Sequence, residues 1–132
     1  MTDCIFCKIA KGEIPSLKIW EDENFLVIVD AFPILKDQLL LIPKKHIGNY
    51  LFSLDNKLYQ NLMLRVKKIA KVMDKSLKPI KIGMIVEGLE VNHVHIKLIP
   101  LYNKEGFGLK PLNPRPSEND FKELVNKIKR NL

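Results

Sequence analysis

The sequence contains no continuous apolar run near the ~18 residues that a membrane-spanning helix requires. It also has no internal repeat, no low-complexity segment, and no apolar N-terminal segment followed by a small-residue cleavage site. These absences favour neither a membrane protein nor a secreted one, so we expect a cytoplasmic protein without a membrane partner. The 132 residues suffice for one sizeable core but not for two, which predicts a single domain over residues 1–132.

Basic residues outnumber acidic residues by 22 to 15, which gives the chain a formal net charge of +7. Such a charge favours polyanionic partners, including nucleotides and nucleic acids. The lysines are spread along the chain, however, with no dense block and no aromatic residues interleaved as in RNA-binding motifs. We therefore interpret most of them as solvated surface and expect no nucleic-acid partner.

Short apolar runs with the composition of β-strands recur along the sequence. They lie at residues 17–20, 25–30, 38–42, 81–87 and 91–99. The polar Glu-Asp-Glu-Asn between the first two runs indicates a hairpin turn. The opening segment, residues 4–15, is interpreted as a turn-rich entry.

Between the third and fourth runs, apolar residues recur every three or four positions, which predicts a long amphipathic helix. This helix should begin near Ser53, a capping residue, and end at about Leu77. A second helix should begin at Ser117 with a capping box, and its predicted buried stripe consists of Phe121, Leu124, Val125 and Ile128. The order β-β-β-α-β-β-α lacks regular alternation, so we predict an α+β domain with a mainly antiparallel sheet of about five strands, one long central helix and a C-terminal helix.

The only two cysteines, Cys4 and Cys7, form a CxxC motif. In a cytosolic protein such a pair is usually half of a zinc site or a redox dithiol, with a buried structural pair as a third interpretation. The position near the N-terminus does not match a thioredoxin-like dithiol, which follows a strand and opens a long helix. Zinc needs two further ligands, which His46 and His93 would supply, although both are equally compatible with surface or core positions.

Residues 91–100 read VNHVHIKLIP and contain two of the three histidines. Because side chains alternate along a strand, His93, His95 and Lys97 should share one face. His95 suits a nucleophile, since a neutral imidazole attacks phosphorus without a separate base. The other interpretation is a polar strand face that simply meets solvent.

Five segments of the sequence together carry a family resemblance. They are CIFCKIAKGEIP at the start, IVD at 28–30, LLIPKKH at 40–46, HVHIKLIP at 93–100 and EGFGLKP at 105–111. In this order and spacing they resemble the histidine triad (HIT) family, in its bacterial-type, zinc-containing branch. The resemblance implies a homodimer around a shared sheet, a purine nucleotide such as an AMP or GMP derivative, and transfer of its nucleotidyl group to a histidine and then to water. Nucleoside phosphoramidases and dinucleoside polyphosphate hydrolases of the family carry out such reactions.

The resemblance also implies a role for individual positions. The middle histidine of the motif, His95, is the implied nucleophile, and Asp30 matches the acidic residue that hydrogen-bonds the ribose hydroxyls. The further substrate-binding positions are Phe6, Ile9, Ile28, Ala31, Gly88 and Lys97, of which Phe6, Ile9, Ile28 and Ala31 match the apolar base pocket. The implied cofactor is a structural zinc ion held by Cys4, Cys7, His46 and His93.

Several positions depart from the family pattern. Lys97 replaces the third motif histidine, Leu89 replaces a glutamine, and Gln38 replaces a histidine. The VEGLEV loop at 86–91 is also shorter than usual and lacks a phosphate-binding asparagine. Losing one donor to the phosphate costs on the order of 10² to 10³ in rate, although the Lys97 ammonium offers a charge in compensation. We expect a nucleotide hydrolase with an altered site, and the alternative is a catalytically impaired nucleotide-binding or regulatory module of the same fold.

Overall fold

The computed structural model describes residues 3–132, so Met1 and Thr2 of the predicted domain lie outside the described residues. Its strands form one five-stranded sheet in the order β1-β2-β3-β5-β4, and every neighbouring pair is antiparallel. The elements are α1 (Ile5–Ala10), β1 (Lys18–Glu21), β2 (Phe25–Val29), β3 (Leu39–Pro43), α2 (Asn56–Leu77), β4 (Lys81–Ile85), β5 (Ile96–Leu101) and α3 (Glu118–Lys129), with a 3₁₀ turn at Leu51–Ser53. The predicted α+β class, five-stranded antiparallel sheet, long helix and C-terminal helix are confirmed.

The sheet is covered on both faces by different elements. One face packs against α2, whose buried residues are Leu62, Val66, Ile69 and Met73. The other face packs against α1, where Phe6 contacts a cluster that contains Ile28, Leu40 and Ile42. Two buried faces explain why β2, β3 and β5 are almost continuously apolar instead of alternating with polar residues.

The long helix α2 begins later than the sequence predicts. Asp55 caps it by accepting a hydrogen bond from the Leu58 backbone N–H at 2.9 Å, whereas Ser53 belongs to the preceding 3₁₀ turn. The predicted Ser53 cap is therefore wrong, because the carboxylate two residues on reaches the free N–H groups of the first turn. The helix ends at Leu77, as predicted, with Lys78 in the left-handed region at φ 51°. Within residues 3–132, no helix combines the length and apolar composition needed to cross a bilayer.

The segment interpreted as turns contains the six-residue helix α1, so that interpretation is wrong for Ile5–Ala10. So short a helix has little intrinsic stability and leaves almost no periodic signal in a sequence. Its packing supplies the stability instead, because Phe6 and Cys7 are both buried against the sheet.

The strand predicted over residues 91–99 begins only at Ile96, and residues 91–95 form an irregular segment before it. The backbone N–H of Val94 donates to the Gly48 carbonyl at 2.9 Å, which draws this segment towards the loop after β3. His93, Val94 and His95 are all buried. The expectation of a strand that places His93 and His95 on one regular face is therefore wrong, because the segment is held by the 46–52 loop rather than by a strand ladder.

The C-terminal helix α3 has the predicted capping box but lacks the predicted buried stripe. Ser117 Oγ accepts from the Asp120 backbone N–H at 3.1 Å, and the Asp120 carboxylate accepts from the Ser117 N–H at 2.9 Å. No residue of α3 is buried, and Leu124, Val125 and Ile128 are 56%, 48% and 56% exposed. An amphipathic period shows which face of a helix is apolar but not whether another element covers it.

Candidate active site and metal centre

The four sequence-predicted metal ligands converge on one point. The ligand atoms of Cys4, Cys7, His46 and His93 all lie within 4.8 Å of one another. Cys4 Sγ is 3.2 Å from His93 Nδ1, Cys7 Sγ is 3.5 Å from both histidine Nδ1 atoms, and those two nitrogens are 3.2 Å apart. A tetrahedral zinc ion with Zn–S near 2.3 Å and Zn–N near 2.0 Å would space its ligands by about 3.3 to 3.8 Å. The donor set and its spacing therefore fit zinc.

The fold explains how such distant positions meet. Cys4 caps α1 and Cys7 lies in its first turn, so the two thiols share one side of that short helix. His46 follows the end of β3, and His93 precedes the start of β5. Because β3 and β5 are antiparallel neighbours, the end of one lies beside the start of the other.

His93 is held in the tautomer that a metal ligand needs. Its Nε2 lies 2.8 Å from the Pro43 carbonyl oxygen, which only accepts hydrogen bonds, so Nε2 carries the proton. Its Nδ1 therefore presents a lone pair to the thiols. Burial also lowers the pKa of His93, which favours the neutral imidazole that binds metal.

The second cysteine of the cluster is held as a thiol unless a metal binds. Burial, followed by a hydrogen bond and charge from Cys4, raises the pKa of Cys7. Metal binding must therefore displace a proton at this position, as is usual for thiolate ligands.

His95 has the opposite tautomer to His93. Its Nδ1 lies 2.7 Å from the His93 carbonyl oxygen and therefore donates a hydrogen bond to it, so that in the neutral form of the ring the lone pair is on Nε2. Within residues 3–132, no side chain or backbone group forms a hydrogen bond with that Nε2. The ring is 6% exposed and meets the edge of Phe6 with 4.9 Å between ring centroids. An imidazole fixed in this orientation can, in its neutral form, act through Nε2 as a nucleophile or a base.

A pocket of about 560 Å³ opens beside His95. This volume lies in the range of small-molecule and cofactor sites. It brings together the following sequence-predicted residues: Phe6, Ile9, Ile28, Asp30, Ala31, His95 and Lys97. Gly88 lies outside its lining and borders a smaller cavity that also touches His95, with φ +64° and the Asn49 carbonyl 3.2 Å from where a Cβ would stand. Any other residue at Gly88 would strain the backbone there.

Two hydrogen bonds fix Asp30 in the pocket lining. One carboxylate oxygen accepts from the Phe32 backbone N–H at 2.9 Å, and the other accepts from Gln38 Nε2 at 2.6 Å. A carboxylate has about four lone-pair sites, so capacity for ligand hydroxyls remains.

Lys97 forms an ion pair at the pocket wall. Its Nζ lies 2.9 Å from Glu87 Oε1, and the lysine side chain is only 14% exposed. The lysine stands opposite Leu40 on β3 and Ile85 on β4 in the sheet register. Glu87 and Glu90 both line the pocket, and sequence reasoning missed both. Their closeness in sequence to His95, within eight residues, could have indicated them. The path of the loop that carries them, however, cannot be predicted from the sequence.

The fold and site define a class: an α+β protein in which a buried histidine, two residues from a ligand of a Cys₂His₂ cluster, lines a pocket of about 560 Å³. The model of the HIT domain family matches residues 11–104, and the chain belongs to that family. The family recognised from the five sequence segments is therefore confirmed.

Relatives support this assignment over nearly the whole chain. The adenosine 5'-monophosphoramidase of Schizosaccharomyces pombe is 31% identical over 132 residues, which cover 96% of this chain and 98% of that protein. A crystal structure of a HIT-family member from Bacillus subtilis has a TM-score of 0.79 and 30% identity, with 98% of this chain and 97% of the other covered. A zinc-bound histidine triad family protein from Mycobacterium smegmatis has a TM-score of 0.72 and 26% identity, with 86% of each chain covered.

Proposed function

We propose that this protein is a nucleotide hydrolase that releases a purine nucleoside monophosphate, such as AMP or GMP, from a phosphate derivative. The observation that carries the proposal is His95, whose proton sits on Nδ1 and whose Nε2 is available at the wall of a nucleotide-sized pocket. The named activity of the Schizosaccharomyces pombe relative, a monophosphoramidase, supports the same reaction class.

In the proposed reaction, the His95 Nε2 lone pair attacks the phosphorus atom and forms a P–N bond. The bond from phosphorus to the leaving group breaks, and its electron pair departs with the leaving group, which takes a proton from water. A second water molecule then attacks the nucleotidyl-histidine, its proton passes to the hydroxide left by the first water, and the P–N electron pair returns to Nε2. Nδ1 keeps its proton throughout, because the His93 carbonyl stabilises the positive ring of the intermediate.

The pocket offers a complementary surface for each part of the nucleotide. Phe6, Ile9, Ile28 and Ala31 form an apolar wall for the base, and the Asp30 carboxylate accepts hydrogen bonds from the ribose hydroxyls. The phosphate then lies beside His95 and Lys97, with Gly88 allowing the loop to approach closely.

The Cys₂His₂ cluster is proposed to hold a structural zinc ion. All four ligands come from the protein, so the metal has no open position for a substrate or water. When bound, zinc supplies a crosslink between α1, the end of β3 and the segment before β5. The zinc-bound relative from Mycobacterium smegmatis supports this assignment.

We further propose a homodimer in which two sheets join along β4. The β4 strand is one edge of the sheet, and its Met84 is 44% exposed. The opposite edge, β1, has only four residues and an irregular register with β2, and an ion pair joins its first residue, Lys18, to its last, Glu21. Short, irregular and charged edge strands pair poorly with other strands. Light scattering should give twice the chain mass, and a monomer would refute this arrangement.

The chain is also proposed to act as a single domain over residues 1–132 in the cytosol. Both cysteines are free of disulfides, and thiolate metal ligands persist in reducing compartments.

The test of the proposed function is the substitution His95→Asn. Asparagine keeps a donor near the Nδ1 position but removes Nε2, so release of nucleoside monophosphate should fall by at least about 10³-fold. Mass spectrometry should detect a nucleotidyl adduct on His95 in the wild type and none in the variant. The matched control is Tyr102→Phe, a residue outside the pocket lining, which should retain turnover. Unchanged turnover in His95→Asn would remove the nucleophile.

One observation favours a second candidate, a nucleotide-binding or regulatory module without useful catalysis. Lys97 is engaged by Glu87 rather than free to bind a phosphate. In that case Lys97→His together with Leu89→Gln should raise activity sharply, whereas an already active wild type argues against it.

A further inference from the structure

The excess positive charge of the chain belongs to one helix and its end. Of the 22 basic residues, eight lie within residues 56–81, whereas only one of the 15 acidic residues, Asp74, lies there. The remainder of the chain has 14 basic and 14 acidic residues, so the formal net charge of +7 comes from α2 and the four residues that follow it. The eight basic residues are Lys57, Arg65, Lys67, Lys68, Lys71, Lys75, Lys78 and Lys81.

Five of these lysines form a stripe along the outer side of α2. The basic stripe consists of Lys57, Lys67, Lys68, Lys71 and Lys75, and all five are exposed. At about 100° per residue they fall within an arc of about 100° and extend over about 27 Å of the helix axis. The buried residues of α2 are centred on the opposite side of the helix. The fold therefore aligns charges that are dispersed along the sequence.

Contacts within the protein do not account for the basic stripe. Among the described residues 3–132, none of its lysines takes part in an ion pair. Lys68 alone has an aromatic partner, with its Nζ 5.0 Å from the centroid of the Trp20 ring. Lys67, Lys71 and Lys75 follow one another at intervals of four, where like charges weaken a helix. A surface that only had to be soluble would mix both signs of charge.

The basic stripe and the nucleotide-sized pocket lie on opposite sides of the sheet. One face of the sheet packs against α2, and the other packs against α1, whose Phe6 lines the pocket. The sheet and helix between them amount to about 15 to 20 Å, which exceeds the Debye length of about 8 Å at physiological ionic strength. The proposed reaction therefore does not use this charge.

We propose that the basic stripe is a docking surface for the phosphate backbone of duplex DNA. A helix with its side chains is about 10 to 12 Å across, and the major groove is about 12 Å wide with a row of phosphates on each side. Lys67 and Lys68 lie at the two margins of the stripe, about 100° apart, so they face the two rows. Lysine ammoniums are point charges that contact phosphates without distinguishing bases, so binding is independent of sequence.

An anionic bilayer fits the basic stripe less well than a groove does. A plane meets a helix along a narrow line, so lysines about 100° apart do not both face it. Helices that lie on a bilayer also insert an apolar face, and the apolar face of α2 is occupied by its contacts with the sheet. Leu64, 60% exposed, is the one apolar residue of α2 within the arc of the stripe.

The experiment measures binding of the full-length protein to a labelled duplex of mixed sequence. Fluorescence anisotropy is followed with about 20 base pairs of DNA between about 50 and 200 mM KCl. The test variant is Lys67→Gln/Lys71→Gln/Lys75→Gln, in which glutamine keeps the helix propensity of lysine. A second variant, Lys67→Arg/Lys71→Arg/Lys75→Arg, keeps the charge and should bind within about threefold of the wild type.

The matched control removes the same charge from another exposed helix. It is Lys122→Gln/Lys127→Gln/Lys129→Gln in α3, which should lower the affinity less than about threefold. With about four phosphate contacts, the wild-type affinity should fall about 10²-fold between about 50 and 200 mM KCl. The glutamine variant of α2 should bind at least about 30-fold more weakly at low salt, with a salt slope smaller by about 2 to 3.

Two outcomes of the titration would overturn the inference. One is a wild type that does not bind the duplex at about 50 mM KCl, and the other is an equal loss of affinity in the α2 and α3 variants. Sedimentation with vesicles that contain about 30% phosphatidylserine tests the bilayer. Tighter binding to the vesicles than to the duplex, lost in the α2 glutamine variant, would also overturn it.

A competition with AMP separates this inference from the proposed function. Because the pocket faces away from α2, saturating AMP should leave the affinity for the duplex unchanged. A loss of duplex binding with AMP would place the DNA in the pocket and overturn the inference. The α2 glutamine variant should hydrolyse nucleotide substrates at the wild-type rate. Absence of turnover in the wild type would refute the proposed reaction, while the duplex titration still decides the inference.

Discussion

Gln38 organises the side of the pocket that faces the proposed ribose. Its side chain is 1% exposed, with Nε2 donating to Asp30 at 2.6 Å and Oε1 accepting from the Ile34 N–H at 2.9 Å. Its backbone carbonyl accepts from the Asp30 N–H at 3.1 Å. Gln38 therefore fixes both the orientation of Asp30 and the loop after it.

The substitution Gln38→Leu should destabilise the protein and weaken nucleoside binding. It leaves the Ile34 N–H and one Asp30 oxygen without their buried partner, which costs about 1 to 3 kcal/mol for each unsatisfied group. Denaturant unfolding measures the stability, and titration with adenosine measures the affinity. Gln60→Leu on the exposed face of α2 is the control and should change neither quantity. Normal adenosine affinity in Gln38→Leu would show that Asp30 needs no support.

The clustering of Cys4, Cys7, His46 and His93 was predictable from the sequence, but the tautomers of the histidines were not. The residue types and count of cysteines and histidines already limited the metal ligands to a few sets. The tautomers of His93 and His95 depend on two backbone carbonyls, those of Pro43 and His93. Backbone positions of this kind follow from the tertiary fold and leave no trace in residue types.

At the scale of elements, the short helix α1 depends on tertiary contacts for its stability. It has six residues, and its backbone hydrogen bonds are local, such as Lys8 N–H to the Cys4 carbonyl and Lys11 N–H to the Cys7 carbonyl. The Phe6 ring packs on the sheet and lines the pocket, with edge contacts to both His93 and His95. Its docking therefore depends on apolar contacts and on the cluster that contains Cys4 and Cys7.

Removal of the metal should consequently weaken nucleoside binding. The protein as purified should contain about one zinc per chain, as expected for a closed four-ligand site. After chelation, α1 loses its crosslink, and adenosine affinity should fall about fivefold or more, a coupling of typical size that must act reciprocally on zinc affinity. Titration of each form with adenosine, and of zinc with and without adenosine, measures both directions.

The double variant Cys4→Ser/Cys7→Ser serves as the comparison for metal removal. It should contain no zinc, bind adenosine weakly and fail to respond to chelator. His95→Asn, whose substitution leaves the four ligands in place, should retain zinc. Metal-free wild-type protein would exclude the ligand set, and unchanged adenosine affinity after chelation would exclude the coupling.

Elements with a strong local pattern of apolar residues were predicted correctly from the sequence, and elements without one were not. The apolar period of α2 spans 22 residues and identified the helix and its end at Leu77. In contrast, α1 was missed because its order comes from contacts with distant residues. Residues 91–95 were assigned to a strand because alternation of apolar and polar residues was the only signal, whereas the Val94 bond to Gly48 fixes the backbone.

At the scale of the whole molecule, Asp22 joins the first hairpin to the long helix. One carboxylate oxygen accepts from the Asn24 and Phe25 N–H groups at 2.8 Å each, and the other accepts from Arg65 Nε at 2.9 Å. Burial acts to raise the pKa of Asp22, but these hydrogen bonds and the Arg65 charge outweigh it and hold the pKa below its usual value. The ionised form is thus favoured by folding.

Stability should therefore decrease as the solution is acidified. Because the pKa of Asp22 is lower in the folded protein than in the unfolded chain, its contribution is complete above the unfolded value of about 4 and is lost as pH falls through the folded value. The free energy of unfolding, measured with denaturant from pH 7 to pH 2, should decline below about pH 4. Glu21 contributes in the same range, since hydrogen bonds from Lys18 and Lys44 lower its pKa to about 2.

Asp22→Asn should lower stability at pH 7 by about 1 to 3 kcal/mol, because it weakens hydrogen bonds to a charged group. Its stability should also depend less steeply on pH below about 4, with Glu21 responsible for part of the slope that remains. Glu23→Gln, an exposed neighbour in the same turn, should behave as the wild type in both respects. An acid slope that is equally steep in Asp22→Asn would mean that the hairpin and α2 are held together by their apolar contacts alone.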